Sequence, residues 1–125
     1  MKLTPMLGVR DVARSLAFYG DVLGFRTTST SLDDAGRLQW AQVARGEATL
    51  MFYLAEDPAG LGASATFVLD VPDVAALHAT AASAGSNPSP LRVAWYGRRE
   101  FDLHDPDGYH LLPSEPMAEP TGDGG

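Results

Sequence analysis

The stretch VRDVA at residues 9–13 recurs as VPDVA at residues 71–75, and this repeat decides the fold. The copies share the pattern V-x-D-V-A at an offset of 62 residues, half the length of the 125-residue chain. Each copy leads into a stretch with helical spacing that a glycine closes, Gly24 in the first copy and Gly85 in the second. Because the match agrees with a helix start and a helix stop, we interpret the chain as a tandem duplication of one unit.

The first copy predicts a strand, a helix and three further strands. A strand is expected over residues 2–9, and Asp11 can cap the helix that follows it. Residues 25–31, 38–43 and 48–54 then have the composition of strands separated by turn-forming residues. The first unit therefore has the order βαβββ.

The second copy predicts the same order. Its helix should begin at Asp73 and end before Gly85. The sequence DPDG at residues 105–108 has the residue preferences of a type I turn and should join the last two strands. The strands of this copy are expected over residues 64–71, 91–95, 99–104 and 109–112.

We predict an α+β fold of two tandem βαβββ modules, residues 1–54 and 63–115. Together they form one domain, residues 1–115, with a curved, cleft-bearing mixed sheet and the helices on its outer face. Residues 116–125 are rich in proline, glycine and acid, which predicts a flexible tail. A concave sheet is where a small ligand would bind.

Charge and composition limit the classes of partner that the chain is expected to bind. The formal net charge is −7 and Lys2 is the only lysine, which argues against nucleic acid as a partner. An acidic surface attracts a cationic ligand. The absence of cysteine excludes disulfides and thiolate metal sites but does not indicate a compartment. The chain starts with no signal-like segment, and no apolar run reaches the roughly 18 residues of a membrane span. These features predict a cytoplasmic protein with no membrane partner.

Two groups of motifs resemble a known family. The segment DVARSLAFY at residues 11–19, followed by VLGF at 22–25, resembles the vicinal oxygen chelate superfamily. That superfamily contains glyoxalase I, extradiol dioxygenases, fosfomycin-resistance enzymes and bleomycin-resistance proteins. PML at residues 5–7, and WYGRREF at 95–101 before the DPDG turn (105–108), resemble the bleomycin-binding members more narrowly. The second stretch has one residue more than in those members.

The resemblance assigns four strand positions to a divalent metal, which the enzymes of the superfamily hold with histidine or glutamate. By motif match these positions are Thr4, Met51, Thr66 and Leu112. A thioether is a soft donor, leucine has none, and a threonine hydroxyl binds hard cations weakly. We therefore predict no metal, no cofactor and no catalytic residue.

The three histidines are the remaining candidates for a metal site. His104 and His110 flank the predicted turn and could meet across it, where they could hold a relocated metal. His78 is expected near the surface of the second helix. Two histidines with no placed carboxylate predict ordinary hydrogen-bonded side chains more readily than a metal site.

Two carboxylates are alternative general bases. Glu100 would serve if it faces the cleft, and so would Asp102 by strand alternation. The structural alternative is an ion pair between Glu100 and Arg98 or Arg99, which we favour.

Strand alternation predicts what lines the cleft. If Met51 points into it, so does Tyr53, while Leu50 and Phe52 pack under the helix. Trp40 fits the core and the cleft equally well. A lining of aromatic and mildly polar groups suits a flat or aromatic organic molecule. The predicted ligand-binding residues are Thr4, Trp40, Met51, Tyr53, Thr66, Trp95, Tyr96, Glu100, His110 and Leu112.

The resemblance implies a metal-independent protein, similar to bleomycin-resistance proteins, that sequesters a drug or natural product without changing it. It also implies a homodimer, with Pro5 resembling the hinge at which relatives exchange an amino-terminal strand. The alternative is a glyoxalase- or dioxygenase-like enzyme with a relocated metal or a metal-free acid–base site. A third hypothesis is a domain with a vestigial cleft that binds other proteins.

Overall fold

A computed structural model describes residues 1–62 and 64–117 of the chain. Within these residues no helix is long and apolar enough to cross a membrane. The elements in chain order are β1 (Met6–Val9), α1 (Val12–Asp21), β2 (Arg26–Leu32), β3 (Leu38–Arg45), β4 (Ala48–Leu54), β5 (Thr66–Asp70), α2 (Val74–Ser83), β6 (Arg92–Ala94), β7 (Arg98–Glu100), β8 (Leu103–His104) and β9 (His110–Pro116).

The strands form two sheets with equivalent topology. The first sheet has the order β1-β4-β3-β2 and the second β5-β9-β7-β6, with β8 paired to β9. In each sheet the first strand of the module runs parallel to the last, while the remaining pairs are antiparallel. The predicted α+β fold of two βαβββ modules is confirmed, and each module contributes its own sheet.

The aspartates of the repeat start both helices. The Asp11 and Asp73 carboxylates each accept a hydrogen bond from the backbone N–H three residues on, at 3.2 and 3.1 Å. Such caps satisfy donors that the first helical turn leaves unpaired. Gly24 and Gly85 follow the helices with φ of +73° and +77°, in the left-handed region that glycine enters without strain.

Each sheet buries one face under its helix. In β4, Leu50 and Phe52 are buried, while Tyr53 is exposed and Met51 half-buried on the opposite face. In β9, Leu111 is buried and its neighbours on either side are half-buried. The alternation predicted for β4 is confirmed, and β9 alternates in the same way.

Two strands of the prediction change most in the structure, the first strand and the strand expected over residues 99–104. The first strand begins at Met6 rather than residue 2, after Pro5, which has no N–H to donate to a sheet. The Pro5 carbonyl still accepts a hydrogen bond from the Met51 N–H at 2.9 Å. The predicted strand 99–104 is split into β7 and β8, because the Asp102 backbone exchanges hydrogen bonds with Ser89 instead of with a strand.

The last strand runs longer than expected. β9 continues to Pro116, past the predicted domain end at residue 115. The Met117 N–H then donates to the Gly97 carbonyl at 3.0 Å. Of the predicted tail, Pro116 thus belongs to β9 and Met117 is hydrogen-bonded to the β6–β7 connection, while residues 118–125 lie outside the described residues.

Candidate functional site

The face of the first sheet that points away from α1 carries an apolar and aromatic surface, formed by Met6, Trp40, Met51 and Tyr53. We call this surface the aromatic face. Trp40 lies directly opposite Tyr53 across β3 and β4, and Met6 lies opposite Met51 across β1 and β4. Tyr53 is 42% exposed and Met6 55%. Because Ala41 beside Trp40 points into the core, the half-buried indole of Trp40 lies on the open side.

Tyr53 is held close against β1. A Cβ atom built on Gly8 would lie 3.0 Å from the Tyr53 hydroxyl oxygen and 3.3 Å from the side chain of Leu61. A larger residue at position 8 would therefore displace the phenol ring. The ring orientation on the aromatic face depends on this close approach.

The open face of the second sheet carries a hydrogen-bonded group of polar side chains beside Val68 and Leu112. Thr66 on β5 lies opposite His110 on β9, with the hydroxyl oxygen 2.9 Å from His110 Nδ1. His110 Nε2 lies 2.8 Å from an Asp102 carboxylate oxygen. The His104 ring stacks on the His110 ring at a centroid distance of 5.2 Å, so the predicted approach of these histidines across the turn is confirmed.

The hydrogen bonds continue from Asp102 toward the β6–β7 hairpin. Arg92 donates to both Asp102 oxygens, at 2.6 and 3.2 Å, and to Glu100 at 3.3 Å. The Tyr96 hydroxyl donates to the other Glu100 oxygen at 2.6 Å. Glu100 is only 4% exposed, so these two partners account for a carboxylate that would otherwise be costly to bury.

The ion pair predicted between Glu100 and Arg98 or Arg99 is wrong. In the register of β6 and β7, Arg92 stands directly opposite Glu100, while Arg98 pairs with the Asp70 carboxylate. Alternation places Arg99 on the opposite face from Glu100, whereas Arg98 shares the face of Glu100 but bonds to Asp70 and Ser114 instead. Arg92 is thus the site residue that sequence reasoning missed.

The neighbouring charges determine the protonation states of Asp102 and Tyr96. The two hydrogen bonds from Arg92, joined by that of His110, lower the pKa of Asp102 to about 2. The hydrogen bond to Glu100, together with burial, raises the pKa of the Tyr96 hydroxyl. At neutral pH Asp102 is therefore a carboxylate and Tyr96 a neutral donor.

The predicted ligand-binding residues lie in four places. Trp40, Met51 and Tyr53 share the aromatic face. Thr66, Glu100, His110 and Leu112 belong to the second sheet, and Thr4 precedes β1. Trp95 and Tyr96 occupy the β6–β7 connection, where their rings meet edge to face at 5.3 Å and Trp95 is 94% exposed.

Two pockets lie beside the second sheet. One, of about 580 Å³, is lined by Thr66, His104 and His110 together with Gly62 and Gly108. The other, of about 480 Å³, lies between the modules against β5 and the β3–β4 turn and was not expected from sequence. Neither pocket includes a residue of the aromatic face.

The four positions that the resemblance assigns to a metal do not fit one. Met51 offers a thioether, Leu112 offers no donor, and the Thr66 hydroxyl is engaged by His110. Across residues 1–62 and 64–117, no three histidine, aspartate or glutamate side chains gather as a metal ion would require.

Similarity to known proteins agrees with this architecture. Residues 3–111 match the family model described as Glyoxalase/Bleomycin resistance protein/Dioxygenase superfamily. No curated protein gives a matching sequence. Among solved structures, TnmS3, an antibiotic binding protein from Streptomyces sp. CB03234, superimposes with a TM-score of 0.78 at 23% identity, over 94% of this chain and 96% of that one.

Two bleomycin-related structures are somewhat more similar in sequence. A bleomycin resistance determinant encoded on the transposon Tn5 is 27% identical, with a TM-score of 0.68 over 96% of this chain and 99% of that one. The bleomycin-binding protein from bleomycin-producing Streptomyces verticillus, complexed with copper(II)-bleomycin, is also 27% identical, with a TM-score of 0.65 over 95% and 97%. With the family model covering most of its length, the chain belongs to the glyoxalase/bleomycin resistance protein/dioxygenase superfamily.

Proposed function

We propose that the chain binds a small, flat organic molecule, of the antibiotic or natural-product type, without changing it chemically and without a metal. The observation that carries the proposal is the pair Trp40 and Tyr53, which lie opposite each other on an exposed sheet face beside Met51 and Met6. Aromatic rings of this kind bind planar ligands by stacking and apolar contact. Such sequestration would protect a cell from a drug in its cytoplasm.

Similarity and charge support a drug-like ligand. A bleomycin resistance determinant and a bleomycin-binding protein are each 27% identical to this chain over nearly its whole length. The net charge of −7 favours a cationic ligand over an anionic one.

We further propose that two copies of the chain build the complete site. The aromatic face is open to solvent in a single chain, and Val68, beside Leu112 on the open face of the second sheet, is 59% exposed. Exposed apolar groups in this number are typical of an interface. A cleft between the aromatic face of one chain and the second sheet of its partner would enclose a ligand that a single chain leaves open to solvent. Light scattering coupled to size exclusion should give the mass of a dimer.

Isothermal titration calorimetry tests the binding proposal. The panel holds metal-free bleomycin, uncharged planar natural products, and aliphatic cations as a control class. Binding at one ligand per chain or one per cleft, confined to aromatic members of the panel, is expected. If no member of the panel gives a heat of binding, the proposal is overturned. Each bound ligand is then recovered and its mass measured, and an unaltered mass is expected.

An enzyme is the second candidate, and the pairing of His110 with Asp102 is the observation that favours it. A carboxylate-oriented imidazole is a general acid–base arrangement that needs no metal. Conversion of the ligand on incubation with the chain would favour this candidate over sequestration. Stoichiometric zinc, iron, manganese or nickel in the purified protein would instead favour a relocated metal.

A further inference from the structure

The hydrogen bonds on the second sheet define where the His110 proton sits. Asp102 is a carboxylate and can only accept, so Nε2 of the neutral imidazole carries the proton and donates it at 2.8 Å. Nδ1 is then the acceptor, and the Thr66 hydroxyl 2.9 Å away is the donor. The basic lone pair of His110 therefore points at the Thr66 hydroxyl.

The base is firmly oriented. Arg92 holds both oxygens of Asp102, which keeps the carboxylate charged and in place. The groups that face His110 are Asp102 from the β7–β8 connection, Thr66 from β5 and the stacked His104 from β8. The hydrogen bonds therefore join a hydroxyl to an imidazole and the imidazole to a carboxylate. This is the arrangement that activates alcohol nucleophiles in acyl transfer.

The hydroxyl is also within reach of a reagent. Thr66 is exposed and borders the pocket of about 580 Å³, which has room for a small acyl group beside His104 and Gly108. His110 keeps 29% of its side chain exposed, so water could serve Nδ1 equally well. The threonine is therefore not required to satisfy a buried imidazole.

We propose that Thr66 is a nucleophile that accepts the acyl group of small activated esters, with His110 as its general base and Asp102 as the positioning residue. The Thr66 oxygen forms a bond to the ester carbonyl carbon as its proton passes to His110 Nδ1. The bond from that carbon to the leaving oxygen breaks, and the leaving group takes the proton from His110. The products are acyl-threonine and a free alcohol or phenol, with no oxidant, reductant or metal involved.

This reactivity goes beyond the proposed non-covalent binding and depends on different residues. Drug binding is assigned to the aromatic face, and the reactive hydroxyl lies on the second sheet. Thr66→Val removes the nucleophile while conserving its shape and leaves the aromatic face intact. Either proposal can consequently fail while the other stands.

The test is reaction of the full chain with p-nitrophenyl acetate, followed as release of p-nitrophenolate and mapped by peptide mass spectrometry. The expected result is one stable acetyl ester per chain at Thr66. Thr66→Val should abolish it, Thr66→Ser should retain or accelerate it, and Thr30→Val, at another exposed threonine, should react like the unaltered chain. His110→Gln should slow acetylation of Thr66 about 100-fold, within the usual range for loss of a general base.

The role of Asp102 is tested by its pH profile. The rate of Thr66 acetylation in the unaltered chain should increase with pH, because His110 must be unprotonated to accept the Thr66 proton. Asp102→Asn should lower the rate reached at high pH without removing this increase. Acetyl found only on His104, His110, Lys2 or the amino terminus, or equal rates for Thr66→Val and Thr30→Val, would overturn the proposal.

Discussion

The Tyr19 hydroxyl, in the helix of the first module, donates a 2.8 Å hydrogen bond to the Asp105 carboxylate in the turn of the second. Both side chains are buried. The other Asp105 oxygen accepts from the backbone N–H groups of Asp107 and Tyr109, so the carboxylate organises its own turn and fastens it to α1. Asp105 of the DPDG sequence thus links the two copies of the repeat, as does Asp107, which accepts hydrogen bonds from the backbone and side chain of Arg10.

Removing this link should destabilise the fold. Tyr19→Phe leaves the buried Asp105 carboxylate without its side-chain donor, which should lower the free energy of unfolding by about 1–3 kcal/mol. Urea denaturation measures the change. Tyr53→Phe, at an exposed tyrosine, is the matched control and should cost under about 0.5 kcal/mol. Equal losses in the two variants would show that the link contributes nothing.

The connection between the modules depends on a close approach at Gly62. A Cβ atom there would lie 2.6 Å from the backbone of Gly108 and Tyr109, and φ is +74°. Gly60 has a similar φ of +75° but nothing within 4 Å, so Gly60→Ala isolates the conformational strain of about 1 kcal/mol. Gly62→Ala adds the steric overlap and should lower the melting temperature by several degrees more. Similar melting temperatures for the two variants would refute this packing.

Asp102 should make the fold sensitive to acid. Its pKa falls from an ordinary 3.8 to about 2 in the folded chain, so the stabilisation is present above pH 4 and is lost as the pH falls through 2. Ionised Asp102 contributes about 1 kcal/mol to the free energy of unfolding, a value reduced for solvent screening because about a third of its side chain is exposed. Urea midpoints measured from pH 5 to pH 2 should therefore decline less steeply in Asp102→Asn.

The control for this pH dependence is Asp34→Asn, at an exposed aspartate of the β2–β3 turn. It should leave the decline unchanged. An identical slope in Asp102→Asn and in the unaltered chain would mean that Arg92 does not hold the carboxylate in solution.

Most of the fold could be predicted from the repeat and from the residue pattern around it. Asp11 and Asp73 start helices because a short carboxylate at that position caps the first turn, and alternation along β4 determined which side Met51 and Tyr53 occupy. These rules act between residues close in sequence. They therefore need no knowledge of the neighbouring strands.

Contacts between strands were harder to predict. Arg92 reaches Glu100 because of the register of a short hairpin, which depends on how its connection turns at Gly97, where φ is +84°. The splitting of a predicted strand at Asp102 likewise depends on Ser89, which belongs to a separate loop. No periodicity in the sequence indicates that Arg92 pairs with Glu100 or that Ser89 bonds to Asp102. The assignment of the ten predicted residues to one ligand site stays a prediction.

The measurement that tests the central claim most directly uses the two tryptophans of the chain, Trp40 and Trp95. In Trp95→Phe the only indole is on the aromatic face, and a ligand from the calorimetric panel should quench its fluorescence saturably, with the affinity of the unaltered chain. Trp40→Phe should bind that ligand at least about 10-fold more weakly, the equivalent of 1.4 kcal/mol. Unperturbed Trp40 fluorescence at saturation, with full affinity in Trp40→Phe, would contradict a binding site on this face.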